Sequence, residues 1–272
     1  MPDFYLGISR LNWLKCEVIG RAFISMNSFD KAVKLPESAV TFAVDSGGFK
    51  ELQMFGRWRK GVDDYAQRVQ RIKKRYGAQC EWVSPQDWMC EPIIVAGGRT
   101  KDGVFVGTGE SVETHQVRTV ENYIALRARL GDLVVPVVQG WTLDDYHRCL
   151  NMYLDRGVDL TQNPRVGIGS VCRRQGTREA TDIVVSVARE IGPRLHGYGF
   201  KKSTPLADSV MVSKDSFAWA YAGMRRPNET HTHYRNSSVF YPENAGLSGC
   251  AKNCAQCLDY ALDWRDELVG KK

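Results

Sequence analysis

Short apolar runs rich in β-branched residues alternate along this chain with longer stretches in which apolar residues recur every three or four positions. The first pattern predicts buried strands at 4–8 (Phe-Tyr-Leu-Gly-Ile), 40–45, 80–84, 134–139 (Val-Val-Pro-Val-Val-Gln), 165–169, 194–199 and 209–213. The second predicts helices: Val62, Tyr65, Val69, Ile72 and Tyr76 share one face, as do Val117, Val120, Tyr123, Ile124 and Leu130. Thr177 is placed to cap a third helix carrying Ile183, Val184, Val187 and Ile191, which Gly192-Pro193 ends. Repeated βα units of this size, with one further strand expected, predict a (β/α)8 TIM barrel; an open doubly wound sheet is the alternative.

Residues 225–257 break the alternation. They are polar, aromatic and turn-rich, and carry Arg225-Arg226-Pro227, His231-Thr232-His233 and Cys250-Ala-Lys-Asn-Cys254-Ala-Gln-Cys257. We expect a catalytic barrel formed by 1–224 and 258–272, closed by a helix at 258–268, with 225–257 a small C-terminal appendage held by something other than an apolar core.

Composition narrows the class. A chain of 272 residues, 43% hydrophobic and 25% charged, can bury a large core without covalent staples. No apolar stretch approaches the roughly 18 residues of a membrane span, and Met1-Pro2-Asp3-Phe4 lacks the features of a signal peptide. The expected location is the cytoplasm, the host's if the chain is phage-encoded. Eight cysteines there are thiols or metal ligands, and Cys16, Cys80, Cys90, Cys149 and Cys172, being scattered, read as small buried hydrophobes. The net charge of +6 is modest evidence for an anionic partner.

The candidate chemistry lies at the carboxyl ends of the predicted strands, where barrel enzymes build their sites. Asp45-Ser-Gly-Gly-Phe49 follows one strand; Asp87 follows the next; Gln139-Gly140, Gly169-Ser170, His196-Gly-Tyr-Gly199 and Asp215-Ser216 follow others. Each has an ordinary explanation as a turn or cap. Their recurrence at successive strand ends does not.

From Phe42 to Cys257 this ordered series resembles the tRNA-guanine transglycosylases and their phage and bacterial relatives that place 7-deazaguanines in DNA. The resemblance rests on Asp-Ser-Gly-Gly-Phe, Asp87 with Cys90 three residues on, Val-Val-Gln-Gly, Ile-Gly-Ser, His-Gly-Tyr-Gly and a late Asp-Ser. It implies exchange of guanine in a polynucleotide for a free deazaguanine, with Asp215 as nucleophile and Asp45 as acid/base. Asp208 competes for the nucleophile's role. A purine would place Asp87 on the N1 and exocyclic amine edge, with Gln139 and the amides near Gly169 and Ser170 at O6. Phe49 and His196 would cover its two faces, and Ser46 and Gly140 complete the expected base-binding group; a structural role for His196 is an equal reading.

Cys250, Cys254 and Cys257 within one polar segment read as ligands of a structural zinc. The family as it is known separates its first two cysteines by one residue and has a histidine downstream. No His or Cys follows Cys257 here, so the fourth ligand is sought upstream, at His233 or His231. The same spacing holds iron–sulfur clusters in radical S-adenosylmethionine enzymes, a second reading disfavoured by its late position. The basic residues Arg57, Arg59, Lys60, Arg173, Arg174, Lys201, Lys202, Arg225 and Arg226 fall on the site side and predict a phosphate-binding rim, whereas Arg71, Lys73, Lys74 and Arg75 read as solvated helix residues. Trp58 could stack or wedge, or simply lie on the surface. The expected partners are DNA and a free 7-deazaguanine, with tRNA as the alternative polymer and a non-catalytic nucleic-acid-binding barrel as the alternative class.

Overall fold

A computed structural model describes residues 1–101, 103–225 and 253–270. Strands β1 (Asp3–Ile8), β2 (Arg21–Ser25), β3 (Thr41–Asp45) and β4 (Cys80–Val83) precede a separate antiparallel hairpin, β5 (Gly98–Thr100) and β6 (Gly103–Phe105). Then come β7 (Val137–Val138), β8 (Val166–Ile168), β9 (Leu195–Gly197) and β10 (Met211–Ser216). Helices α1 (Met26–Asp30), α2 (Gly48–Phe55), α3 (Val62–Tyr76), α4 (Pro92–Ala96), α5 (Val112–Leu130), α6 (Leu143–Asp155), α7 (Arg178–Ile191), α8 (Pro205–Ser209), α9 (Ala218–Gly223) and α10 (Leu258–Leu268) fill the connections.

The main sheet has eight parallel strands in the order β4-β3-β2-β1-β10-β9-β8-β7. It is curled, TIM-like, and its two edges touch: Val83 at the end of β4 bridges Val134, and the Val135 amide donates to the Val83 carbonyl at 3.1 Å. Side chains alternate across it, as the period of two requires. Tyr5, Phe23, Ala43, Trp82 and Val135 fill the concave interior, with Tyr198 against them. Leu6, Ile24, Phe42, Val44, Val83, Val138, Ile168 and Leu195 face outward into the core shared with the helices.

Most predicted elements form where the periodicity puts them. Tyr65, Val69, Ile72 and Tyr76 are the buried face of α3, and the Thr177 hydroxyl accepts the Ala180 amide to start α7. The unassigned eighth strand is β2, whose apolar run is only Ala22-Phe23-Ile24 between Arg21 and Ser25. Within 134–139 only Val137 and Val138 pair as a strand, because Pro136 has no amide to donate to a ladder. The last strand begins at Met211 rather than 209, since α8, capped by Thr204, runs on to Ser209. Cys16, Cys80, Cys90 and Cys149 are buried as expected, and Cys172 is partly so.

Among the described residues no helix is long and apolar enough to cross a membrane. Cys250, His231, His233 and Arg226 lie outside the described residues, as does most of the expected appendage.

Candidate active site

Strand β3 carries Asp45 to the carboxyl end of the sheet on the same inward face as Ala43. The chain then turns at once: Gly47 takes φ 83°, and its amide donates to Asp45 Oδ2 at 3.0 Å. A Cβ at Gly47 would also stand 2.5 Å from Asn27 Nδ2, so both the dihedral and the space demand glycine. Burial pushes the Asp45 carboxyl up to about 7, and the charges of Asp87 and Asp215 add to the rise, while the Gly47 amide and the Ser25 hydroxyl oppose it. An acid near its midpoint at neutral pH can both give and take a proton.

Asp87 lies in a loop, residues 84–91, that has almost no regular structure and is nonetheless tied down along its length. The Ser84 amide donates to the Val44 carbonyl at 2.8 Å, Asn122 Nδ2 to the Gln86 carbonyl at 2.6 Å, Trp58 Nε1 to the Asp87 carbonyl at 3.2 Å, and the Trp88 amide to Thr119 Oγ1 at 2.8 Å. His115 Nδ1 lies 2.6 Å from the Met89 carbonyl, and the Cys90 amide donates to Ser170 Oγ at 2.8 Å. The Asp87 carboxylate accepts from Ser46 Oγ at 3.2 Å and from Gln139 Nε2 at 2.6 Å. Burial raises it to about 6, with Gln139 and Ser46 among the groups holding it down.

Gln139 is fully buried and its position is dictated by Gly169: a Cβ there would come 2.3 Å from Gln139 Nε2. Its carbonyl accepts from Gln116 Nε2 at 2.6 Å. The next residue after Gly169, Ser170, has φ 58°, the one positive φ among the described non-glycine residues. Strain of this kind, about 1–3 kcal/mol, persists where surrounding contacts enforce it. Ser170 Oγ lies 2.7 Å from Gln139 Oε1 and 2.9 Å from Oε2 of Glu91, a buried acid. Burial raises the Glu91 carboxyl, partly offset by its own backbone, Ser170, Arg173 and Arg174.

Asp215 stands near the end of β10 on the same inward face as Ser213. Its Oδ1 is 3.3 Å from His196 Nε2 and accepts the Gly199 amide at 3.0 Å. Burial lowers the His196 pKa against the pull of Asp215, so the ring is neutral at pH 7; it donates from Nε2 to Asp215, and Nδ1 accepts from Ser213 Oγ at 2.9 Å. The ring packs among Tyr5, Phe23, Trp82 and Tyr198 and is wholly buried. Strand β9 thus sets His196 beneath Asp215 in the sheet interior, not over the face of a base. Asp208 is elsewhere, in α8, where it binds Lys214 Nζ at 2.8 Å and Ser203 Oγ at 2.6 Å.

Phe49, on α2, packs edge-on against Phe105 with centroids 5.7 Å apart, and the Arg173 guanidinium lies 5.6 Å from both ring centroids. Gly140 follows Gln139 into the turn that Thr142 and Asp145 close with a capping box. The basic rim divides. Arg57, Lys201 and Lys202 are exposed and form no ion pair among the described residues, and Arg225 is exposed at the end of the described segment. Arg59 is held by Glu51 at 2.8 Å, Lys60 lies 3.5 Å from Asp30, and Arg174 pairs with Glu179 at 2.7 Å while donating to the Trp141 carbonyl. Arg71, Lys73, Lys74 and Arg75 are exposed on α3.

Cys254 and Cys257 are buried just before α10, and the Tyr260 amide donates to Cys257 Sγ at 3.5 Å, which caps that helix. Among the described residues no three His, Cys, Asp or Glu side chains are grouped to hold a metal.

Sequence reading overlooked Ser25, Ser213 and Glu91. The one available signal was a polar stripe on α5, His115, Gln116, Thr119 and Asn122, spaced as one helix face and turned toward the Asp87 and Gln139 loops.

Asp45, Asp87 and Asp215 thus bring three carboxylates to the carboxyl end of a curled parallel sheet, the arrangement of an α/β enzyme. The family DpdA, DeoxyPurine in DNA protein A, matches residues 1–272, and the chain belongs to it. This is a DNA-guanine transglycosylase family within the tRNA-guanine transglycosylase superfamily, concerned with 7-deazaguanine modification of DNA. No curated protein matches the chain.

Proposed function

We propose that the protein replaces guanine in DNA with a free 7-deazaguanine derivative, through a covalent intermediate on Asp215, within a complete (β/α)8 barrel. Asp215 attacks C1′ through Oδ2 as the bond from C1′ to guanine N9 breaks, and Asp45 supplies the proton that the departing base needs. The incoming base then yields its N9 proton to Asp45 and displaces Asp215 from C1′, so two inversions give net retention. Asp45's elevation to about 7 by burial and by Asp87 and Asp215 carries this reading, because it places a neutral-pH proton carrier within the field of the other two carboxylates.

Asp87 accepts from the N1 and exocyclic amine edge, and the second hydrogen of Gln139 Nε2, with the Ser170 amide, faces O6; the Gly169 amide, expected from the sequence to join them, is taken by the Val138 carbonyl at 3.1 Å. Ser46 steadies Asp87, Gly140 lets the chain after Gln139 pack on the start of α6, where a Cβ would come 2.9 Å from Asp145 Cβ and the Tyr146 amide, and Phe49 covers one face. The target nucleotide must be unstacked or single-stranded, with Arg57, Lys201, Lys202, Arg225 and Arg226 on its phosphates. Residues 225–257 form an insertion in which Cys250, Cys254, Cys257 and His233 hold a structural zinc; the metal's role is to replace an apolar core.

The test is incorporation of labelled guanine or 7-cyano-7-deazaguanine into DNA and, separately, tRNA. We expect incorporation into DNA by the wild type and none by Asp215→Ala. Incorporation into tRNA alone would overturn the DNA reading, and unimpaired Asp215→Ala would remove the nucleophile.

A further inference from the structure

Around Ser170 the hydrogen atoms can be counted. Its Oγ carries one proton and two lone pairs, and it meets the Cys90 amide at 2.8 Å, Gln139 Oε1 at 2.7 Å and Glu91 Oε2 at 2.9 Å. The Cys90 amide takes one lone pair. The single proton serves one of the two remaining acceptors, so with both carboxylates ionised one short contact has no hydrogen in it. Turning the Gln139 amide over does not help. Its Nε2 would then donate to Ser170, but Oε1 would face Asp87 Oδ2, which Gln139 Nε2 otherwise reaches at 2.6 Å. In either orientation the chain Asp87–Gln139–Ser170–Glu91 closes only when one of its end carboxyls is protonated.

We infer that these four side chains share a single proton, and that Glu91 holds it when a base with a donor edge occupies the site, leaving Asp87 ionised to accept from that edge. With the proton on Glu91, Ser170 donates to Gln139 Oε1, and Gln139 Nε2 points at Asp87. With the proton on Asp87 the amide is reversed, Asp87 Oδ2 donates to Gln139 Oε1, and the neutral carboxyl is a weaker acceptor for guanine N1–H and its amine. Glu91 is therefore a positioning residue that acts on the base through Ser170 and Gln139. The second half of the inference rests on the base-exchange reading; the first half does not.

The surroundings fit a movable proton. Arg173 and Arg174 favour ionised Glu91, while burial disfavours it. Asp87 and the Cys90 thiol from the same loop, Cys172 from the loop after β8 and the Tyr146 hydroxyl from α6 are the other titratable groups that feel its charge. The left-handed backbone at Ser170, φ 58°, holds its hydroxyl between the two acceptors.

Infrared spectroscopy of the whole protein carrying carboxyl-labelled glutamate tests the first half without a mutation. Glu91 is the one buried glutamate among the described residues. At about pH 8, far above the usual glutamate pKa of about 4.3, we expect with guanine bound a protonated-carboxyl band that moves with the label. Absence of that band both with and without guanine, and of an aspartic counterpart on labelling aspartate, would overturn the shared proton, whatever the protein catalyses. The second half is read from labelled-guanine exchange. In the wild type the KM for guanine should rise on the alkaline side as Glu91 ionises. Glu91→Gln, which donates but cannot ionise, should keep KM flat there with kcat following the wild-type profile, and Glu91→Ala, which removes the competing acceptor and leaves the Ser170 proton to Gln139 Oε1, should likewise lose the alkaline rise. An unchanged alkaline rise of KM in Glu91→Gln would overturn the assignment to Glu91. A labelled band without any base exchange would leave the proton chain standing and remove the catalytic reading instead.

Discussion

His196 Nε2 and Asp215 Oδ1 are 3.3 Å apart at the floor of the site, and the Gly199 amide meets the same oxygen at 3.0 Å. Both bonds fall on Oδ1, which orients the carboxylate and leaves Oδ2 outside them. A neutral imidazole suits this task, since it fixes the carboxylate without neutralising it. His196→Ala should therefore lower kcat for base exchange by roughly ten- to hundredfold, the loss of a buried hydrogen bond to a charged group, with little change in KM. Steady-state kinetics on a guanine-containing oligonucleotide will measure the split.

Asp45 makes a prediction about stability. Its folded-state pKa of about 7 exceeds the ordinary aspartate value of 3.8, so the unfolded chain releases this proton at lower pH than the folded one. Between those values the folded state binds more protons, and stability falls as pH rises. Asp45→Asn should raise Tm at about pH 8 and change it little at about pH 3, below both values, where the folded and the unfolded state alike hold the proton. Thermal unfolding at the two pH values decides this, and the same variant should lack base exchange.

Gly169→Ala tests the pocket's geometry. The new methyl group would meet Gln139 Nε2 at 2.3 Å and push the amide off Asp87. We expect the KM for the free base to rise at least tenfold, roughly the loss of one hydrogen bond to a charged group, while the circular dichroism spectrum stays that of the wild type.

The rim should show two kinds of basic residue. Removing Arg57, Lys201 or Lys202, exposed and without an ion pair among the described residues, should weaken DNA binding and reduce the salt slope by about one for each phosphate left unneutralised. Arg59→Ala and Arg174→Ala break ion pairs with Glu51 and Glu179 and should leave the slope unchanged. Filter binding across a salt series will separate them.

Metal analysis addresses the cysteines. Purified wild type should contain stoichiometric zinc, and Cys254→Ser should lose it along with part of its thermal stability. Undiminished zinc in that variant would exclude the cluster as its binder.

How much of the fold and site was legible in the sequence depended on the range of the signal. Helix faces such as that of α3 and caps such as Thr177 are local and could be read directly. Asp45, Asp87 and Asp215 could be placed at strand ends, because an apolar run followed by a polar residue marks such an end. Ser25 and β2 escaped because a five-residue strand with three apolar residues carries little periodicity. Glu91 escaped for a different reason: it sits beside Pro92 at the start of α4, where an acid is an ordinary helix-start residue, and only its burial against Ser170, nearly eighty residues away, gives it meaning. Trp58, read as a free stacking surface or an idle one, instead donates to the Asp87 carbonyl, a long-range contact no local pattern encodes.

The meeting of the sheet's two edges has a mechanical consequence. Between β4 and the chain leading into β7 the backbone contributes little more than the contact of Val83 with Val134 and Val135. Just above that seam the Asp87 and Gln139 side chains join across it at 2.6 Å. The pair proposed to read the base is thus also a clasp across the join of the sheet's two edges, so a base bound between them would tie those edges together.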